Sequence, residues 1–246
     1  MKNIEGQNIP ESTFIIVNNN GIKKTQSKDF FAGRKVVVFS LPGAFTPTCS
    51  TTHVPRYNEL TKVFKTNGID EVVCISVNDS FVMDAWKKDQ QAENITFLPD
   101  GNGNFTDKMG LLVDKSDLGF GKRSWRYSML VNDGKIEKMF LEPEKDGDPF
   151  EVSDADTMLK YINPNAKEPD TVTLFTREGC GFCARAKEAL DEKSIKFDDI
   201  LLGRDITYSA FKNVSQGEAF PQIFVNGKNI GGCDELIAKL KAGQIS

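Results

Sequence analysis

Histidine is almost missing from this chain: its 246 residues include one, His53. Beyond residue 170 there is none, and only three cysteines stand there, too few for the four Cys or His ligands of a structural zinc site. No metal is expected. Cysteine is also scarce, with five (49, 74, 180, 183 and 233) widely spread and odd in number. In a chain with no export signal, that pattern points to catalytic, redox or metal-linked thiols rather than to a structural disulfide framework. A basic surplus is lacking, since the net charge is −4, which argues against a nucleic-acid binder. No apolar run reaches membrane-spanning length, and the opening Met1-Lys-Asn-Ile-Glu-Gly has no apolar signal core, so a cytoplasmic protein is expected. What is present is ample core material: 39% hydrophobic and 27% charged residues, enough for one large domain or two ordinary ones.

A break in composition falls at Asn163–Asp170, which has two prolines and no large apolar residue. We read 163–170 as a linker between a domain of residues 1–162 and one of residues 171–246. Upstream, Val36–Ser40, Glu71–Val77, Arg126–Val131 and Lys135–Leu141 read as strands, the last two joined by a tight turn at Asn132-Asp-Gly134. Val54, Tyr57, Leu60, Val63 and Phe64 recur at helical spacing up to Asn67-Gly68, and a second helix is expected from Ser80 to about Ala92. Downstream the order is strand Val172–Thr176, helix Phe182–Glu192, strand Lys196–Leu201 and a helix near Tyr208–Asn213. A hairpin through Asn226-Gly227 and a helix from about Asp234 to Lys241 follow. Both halves predict an α/β fold, a central mixed sheet flanked by helices.

Each half carries a thiol site after a strand. In the first, Val36–Leu41 runs into Pro42-Gly-Ala-Phe-Thr46-Pro-Thr-Cys49, which places Cys49 near a helix N-terminus. Free amides and the positive end of the helix dipole favour a thiolate there, the form that acts as a nucleophile. Thr46 offers a hydroxyl to the thiolate or to an incoming peroxide, while Pro42 and Pro47 stiffen the loop. Pro42, Thr46 and Cys49 together resemble the active-site loop of peroxiredoxins, and the longer match through Thr52-His-Val-Pro55 is most similar to the atypical two-cysteine subclass. The resemblance implies that Arg126, before a strand of the later hairpin, stabilises the thiolate and polarises the O–O bond. That subclass usually carries a resolving cysteine near the end of the domain. Here the stretch reads Asp146-Gly-Asp-Pro-Phe-Glu-Val-Ser153, so an outside thiol or the second half must resolve Cys49.

The second site is Cys180-Gly-Phe-Cys183, with the first thiol exposed at a helix start and the second placed to close a disulfide. With Phe220-Pro221-Gln222 and Gly231-Gly-Cys-Asp234 it resembles glutaredoxins over Asp170 to Ser246. The resemblance implies a cis proline at Pro221 and a glutathione groove of Arg177, Phe220, Pro221, Cys233 and Asp234, cation for carboxylate and carboxylate for ammonium. The motif interior, Gly181-Phe182, departs from the Pro-Tyr of many relatives. Taken together, the chain resembles a peroxiredoxin–glutaredoxin fusion, two thioredoxin-like domains in tandem.

Other features have plainer readings. Cys74 reads as a packed strand residue and Cys233 as an incidental helix residue. His53, four residues after Cys49, is expected to support or pack rather than form a Cys–His dyad. Trp86 and Phe81 read as core, and Asp100-Gly-Asn-Gly-Asn104 departs from a calcium loop at its sixth and twelfth positions. The acidic run Glu142–Asp156 reads as a solvated loop ending in a helix cap at Ser153-Asp-Ala-Asp156. The function implied is reduction of hydrogen peroxide and small alkyl hydroperoxides through Cys49, with glutathione as co-substrate and no bound cofactor. Glutathione reductase with NADPH would recycle the glutathione, and a homo-oligomer is implied by family precedent. A general thiol–disulfide oxidoreductase and a redox sensor are the rival readings.

Overall fold

The computed structural model describes residues 1–18, 21–215 and 217–245. These divide into two units, one from Met1 to Lys167 and the other from Glu168 onward. In the first unit the elements run β1 (Thr13–Asn18), β2 (Gly21–Gln26), α1 (Ser27–Phe31), β3 (Lys35–Ser40), a π-helical turn (Cys49–His53) and α2 (Val54–Thr66). After them come β4 (Glu71–Ser76), α3 (Ser80–Asp89), β5 (Thr96–Pro99), α4 (Asn104–Lys108), β6 (Leu112–Asp114) and β7 (Lys122–Ser124). The unit closes with β8 (Tyr127–Asn132), β9 (Lys135–Leu141) and α5 (Ala155–Ile162).

The central sheet has the order β5-β4-β3-β8-β9, with β3, β4 and β5 parallel and β8 and β9 antiparallel. Alternation along β3 divides the core. Val37 and Phe39 pack beneath α2 and α3 with Tyr57, Phe64 and Trp86, whereas Val36 and Val38 pack on the other face with Phe14, Phe105 and Met129. Cutting Phe39 to alanine would cost about 3–5 kcal/mol in such a site. The expected turn signals act as read. Gly68, at φ +82°, follows the C-cap of α2, and Asp133 and Gly134 both take positive φ between β8 and β9.

Three expectations need correction. The second helix stops at Asp89, short of Ala92, because Gln91 turns to φ +48°. The cap of α5 is Asp154, whose carboxylate accepts from the Thr157 amide at 2.8 Å, and not Ser153. The acidic run is a loop exposed over 144–148, as expected, but not throughout: Glu142 is 2% exposed and bound by the segment that follows it.

The second unit contains β10 (Val172–Thr176), α6 (Gly181–Glu192), β11 (Phe197–Leu201), α7 (Tyr208–Val214), β12 (Gln222–Val225), β13 (Lys228–Gly231) and α8 (Cys233–Lys241). Its mixed sheet has the order β11-β10-β12-β13, and Val172, Leu174 and Ile223 pack under Ala186, Leu190 and Leu236. Both units are thus thioredoxin-like: a mixed sheet with helices against it. No helix among the described residues is long and apolar enough to cross a membrane.

Candidate active site

β3 is buried along almost its whole length and delivers the chain into a loop whose Pro42 is also buried. Cys49 opens the π-helical turn and is 0% exposed. Pro55 lies at the start of α2, which runs on directly from this turn, where the Val54 amide still donates to the Cys49 carbonyl. Thr46 donates its hydroxyl to the Gly43 carbonyl at 2.8 Å, so its hydrogen bond holds the loop rather than the Cys49 sulfur.

Arg126 arrives from the residue before β8 and is 1% exposed. Its Nη2 lies 3.5 Å from Cys49 Sγ. Its Nη1 donates to His53 Nδ1 at 2.9 Å, and the edge formed by Nε and Nη2 bonds the Asp148 carboxylate. The guanidinium has only donors, which fixes the tautomer of His53: Nδ1 accepts, and the Nε2 proton goes to the Ser153 carbonyl at 3.2 Å. Burial, then the Arg126 charge, hold His53 well below the ordinary histidine value against the opposing Ser153 bond, so the ring is neutral. His53 therefore supports the arginine. Phe150 covers both groups, its ring centroid 5.3 Å from Arg126 Cζ and 4.8 Å from the His53 ring.

Around this centre, Trp86 is core as expected, and its Nε1 also anchors the Ser50 hydroxyl at 3.0 Å. Phe81 is not core: it is 67% exposed. Cys74 is packed inside β4, where burial and then the nearby Cys49 push its thiol up. Asp100 caps α4 through the Phe105 and Thr106 amides, a use of the carboxylate that needs no ion. Sequence reading passed over Asp148, Phe150 and Glu142. The one signal was that the segment holding them has no cysteine where the similar subclass usually has one.

In the second unit Cys180 is the N-cap of α6, its sulfur accepting from the Cys183 amide at 3.2 Å, and the two cysteines form a disulfide. The Phe220–Pro221 peptide is cis, and Phe220 O lies 3.7 Å from Cys180 Sγ. Arg177 sits over the Phe220 ring at 5.8 Å. The glycine pair closes the opposite side, since a Cβ on Gly232 would stand 3.5 Å from the Pro221 carbonyl oxygen. Asp234 is exposed at the start of α8 and pairs with Arg185 of α6 at 3.3 Å. Cys233 is buried in the core beneath, where burial pushes its thiol up and Arg185 opposes the shift. Its side chain packs inward rather than lining a groove.

A buried thiol facing a guanidinium, in a chain that also carries a dithiol at a helix start, is the arrangement of a thiol-based peroxidase joined to a disulfide-exchange domain. The Redoxin profile matches residues 4–159 and the Glutaredoxin profile residues 172–230. The chain belongs to the redoxin family, as a peroxiredoxin domain followed by a glutaredoxin domain. It is 53% identical to the hybrid peroxiredoxin hyPrx5 of Haemophilus influenzae over 96% of this chain and 98% of that one. Peroxiredoxin sll1621 of Synechocystis is 60% identical over 58% of this chain and 80% of its own length. Among solved structures, reduced Prx3 of Vibrio vulnificus in complex with H2O2 superposes with a TM-score of 0.62 at 40% identity, covering 65% of this chain and 99% of its own. The chain is a hybrid peroxiredoxin–glutaredoxin peroxidase.

Proposed function

We propose that this peroxidase is glutathione-dependent and reduces hydrogen peroxide and small alkyl hydroperoxides through Cys49. The thiolate attacks one peroxide oxygen, an S–O bond forms, the O–O bond breaks, and the alcohol or water leaves with a proton. Arg126 stabilises the thiolate before the attack and the charge that builds on the departing oxygen. Pro42 and Thr46 shape the loop that admits the peroxide. Glutathione then displaces water from the Cys49 sulfenic acid, leaving a mixed disulfide. Cys180, as a thiolate, attacks the glutathione sulfur, which releases Cys49 and places glutathione on Cys180. A second glutathione then attacks the bound glutathione sulfur and leaves with it as glutathione disulfide, freeing Cys180, or Cys183 expels the glutathione by forming the Cys180–Cys183 disulfide, which two further glutathiones reduce. Arg177, Phe220, Pro221 and Asp234 hold the tripeptide during this exchange. No bound cofactor takes part, and NADPH acts through a separate glutathione reductase.

The observation that carries this reading is the Arg126 Nη2 to Cys49 Sγ approach of 3.5 Å in a site closed to solvent. The test is a coupled assay on Cys49→Ser with peroxide, glutathione, glutathione reductase and NADPH. Peroxide reduction should vanish while exchange with a glutathionylated substrate persists. Retained peroxide reduction would sink the assignment of Cys49, and a wild-type chain that turns over only with a different dithiol donor would sink the dependence on glutathione.

A further inference from the structure

The Cys49 thiolate and its reaction partner explain why an arginine is present, but not what keeps that arginine aimed. Its aim depends on the segment 146–153. Asp148 takes the Nε and Nη2 donors, and Nη2 is the same nitrogen that approaches Cys49. A guanidinium is planar, so a bidentate carboxylate on one edge fixes the direction of the hydrogens left over. Phe150 lies against the guanidinium face, and the Ser153 carbonyl orients His53, which meets the guanidinium at Nη1.

The segment is itself pinned. The Glu142 carboxylate, at the end of β9, accepts from the Glu151, Val152 and Ser153 amides at 2.8, 2.9 and 2.8 Å, and from the Ser153 hydroxyl at 2.7 Å. Tyr57 donates to the Ser153 carbonyl at 3.0 Å. Asp148 thus stands between the Gly147 carbonyl, which accepts from Lys115 at 3.0 Å, and the residues pinned by Glu142, its side chain 38% exposed while Arg126 is closed from solvent.

Charge makes the same residue necessary. A buried guanidinium without a counter-charge is costly. Cys49 supplies one only as a thiolate; the sulfenic acid and the mixed disulfide are neutral. Of the other titratable groups in and around the site, His53, which meets the arginine, is neutral, and burial keeps the thiol of Cys74 and the phenol of Tyr57 protonated. Asp148 is the carboxylate that stays bound throughout.

We propose that Asp148 is a positioning residue for peroxide reduction: it aims Arg126 at Cys49 and remains its counter-charge when the thiolate is consumed. This rests on the reading of Cys49 and Arg126 given above. The test is single-turnover oxidation of Cys49 by hydrogen peroxide in the reduced full-length chain, quenched by thiol alkylation. Asp148→Ala should slow the reaction about tenfold or more, as misplacement of a catalytic group does. Asp148→Asn, which keeps one acceptor for the guanidinium edge but supplies no charge, should recover only part of that loss. In the Arg126→Ala background, Asp148→Ala should change the rate by less than about twofold, since a residue acting through another has nothing left to act on. A thermal melt accompanies each rate, and if Asp148→Ala does not fold, Asp148→Ser carries the test with the same expectations. An unchanged rate in the alanine variant, no recovery in Asp148→Asn, or losses that multiply in the double variant, would overturn the inference alone. A wild-type Cys49 that ignores peroxide would overturn it together with the reading beneath.

Discussion

The two sulfur sites solve the same electrostatic problem with different materials. Cys49 is enclosed and faces a side-chain cation that comes from 77 positions away in the chain. Cys180 is half-buried and uses its own helix, with the nearest donor three positions on. On the function proposed above, the difference follows from what each must admit. A peroxide is small enough for an enclosed site, where a guanidinium shut away from water acts more strongly than it would in solvent, even with Asp148 on its other edge. A tripeptide needs an open shelf, where water weakens any single charge and several backbone and side-chain contacts share the work.

The sharpest break between the sites would come from Cys180→Ser. Turnover with glutathione as sole reductant should fall to background, while one equivalent of peroxide is still consumed at Cys49; a quenched-flow burst read beside steady-state rates decides it. Arg126→Ala should slow that burst by about 10²- to 10³-fold, the scale of losing an aimed donor, with Arg126→Lys recovering little of it. Exchange at Cys180 should not change in either variant. Cys183→Ser should keep turnover to within about threefold if glutathione frees Cys180 directly, and steady-state kinetics at saturating glutathione measure this. Complete loss would instead require the Cys180–Cys183 disulfide as an obligatory stage.

The smallest effect concerns pH and only the first site. His53 is neutral in the folded chain and titrates near 6.5 when unfolded. Below that value the unfolded state binds a proton that the folded state refuses, so stability falls as pH drops, by up to about 1.4 kcal/mol per pH unit. Urea midpoints between pH 7 and 5 should show this slope in the wild type and lose it in His53→Asn. Glu142 adds a separate window lower down. Burial pushes its carboxyl up, but the bonds from Val152, Ser153 and Glu151 outweigh that and hold it below the usual carboxylate range. Its contribution is complete above about pH 4.5 and is lost as pH falls further.

What could be read in advance separates along the same division. The strand before Cys49, the helix after it and the whole βαβαββα order of the second unit follow from local patterns: period-two alternation, Asn-Gly and Asp-Gly turns, and helix stops. Arg126 was reachable through the resemblance to peroxiredoxins, which asks for an arginine from a later strand, and the hairpin pattern only showed where that strand lies. Asp148 was not, because a run of acidic residues looks the same in sequence whether water or a buried arginine faces it. Glu142 hid for a related reason: its partners are amides, which leave no mark on residue identity. The hairpin of β1 and β2 also went unread, since Ile15 and Ile22 are exposed and the pattern gives no clean inside face.

The way Glu142 holds its segment has an evolutionary corollary. It grips main-chain hydrogens, which every residue type except proline supplies, so positions 151 and 152 can drift in side chain without loosening the grip. Only proline there removes a bond outright. Selection can therefore vary the outer surface of this segment freely while the geometry that it enforces on the reactive sulfur stays constant.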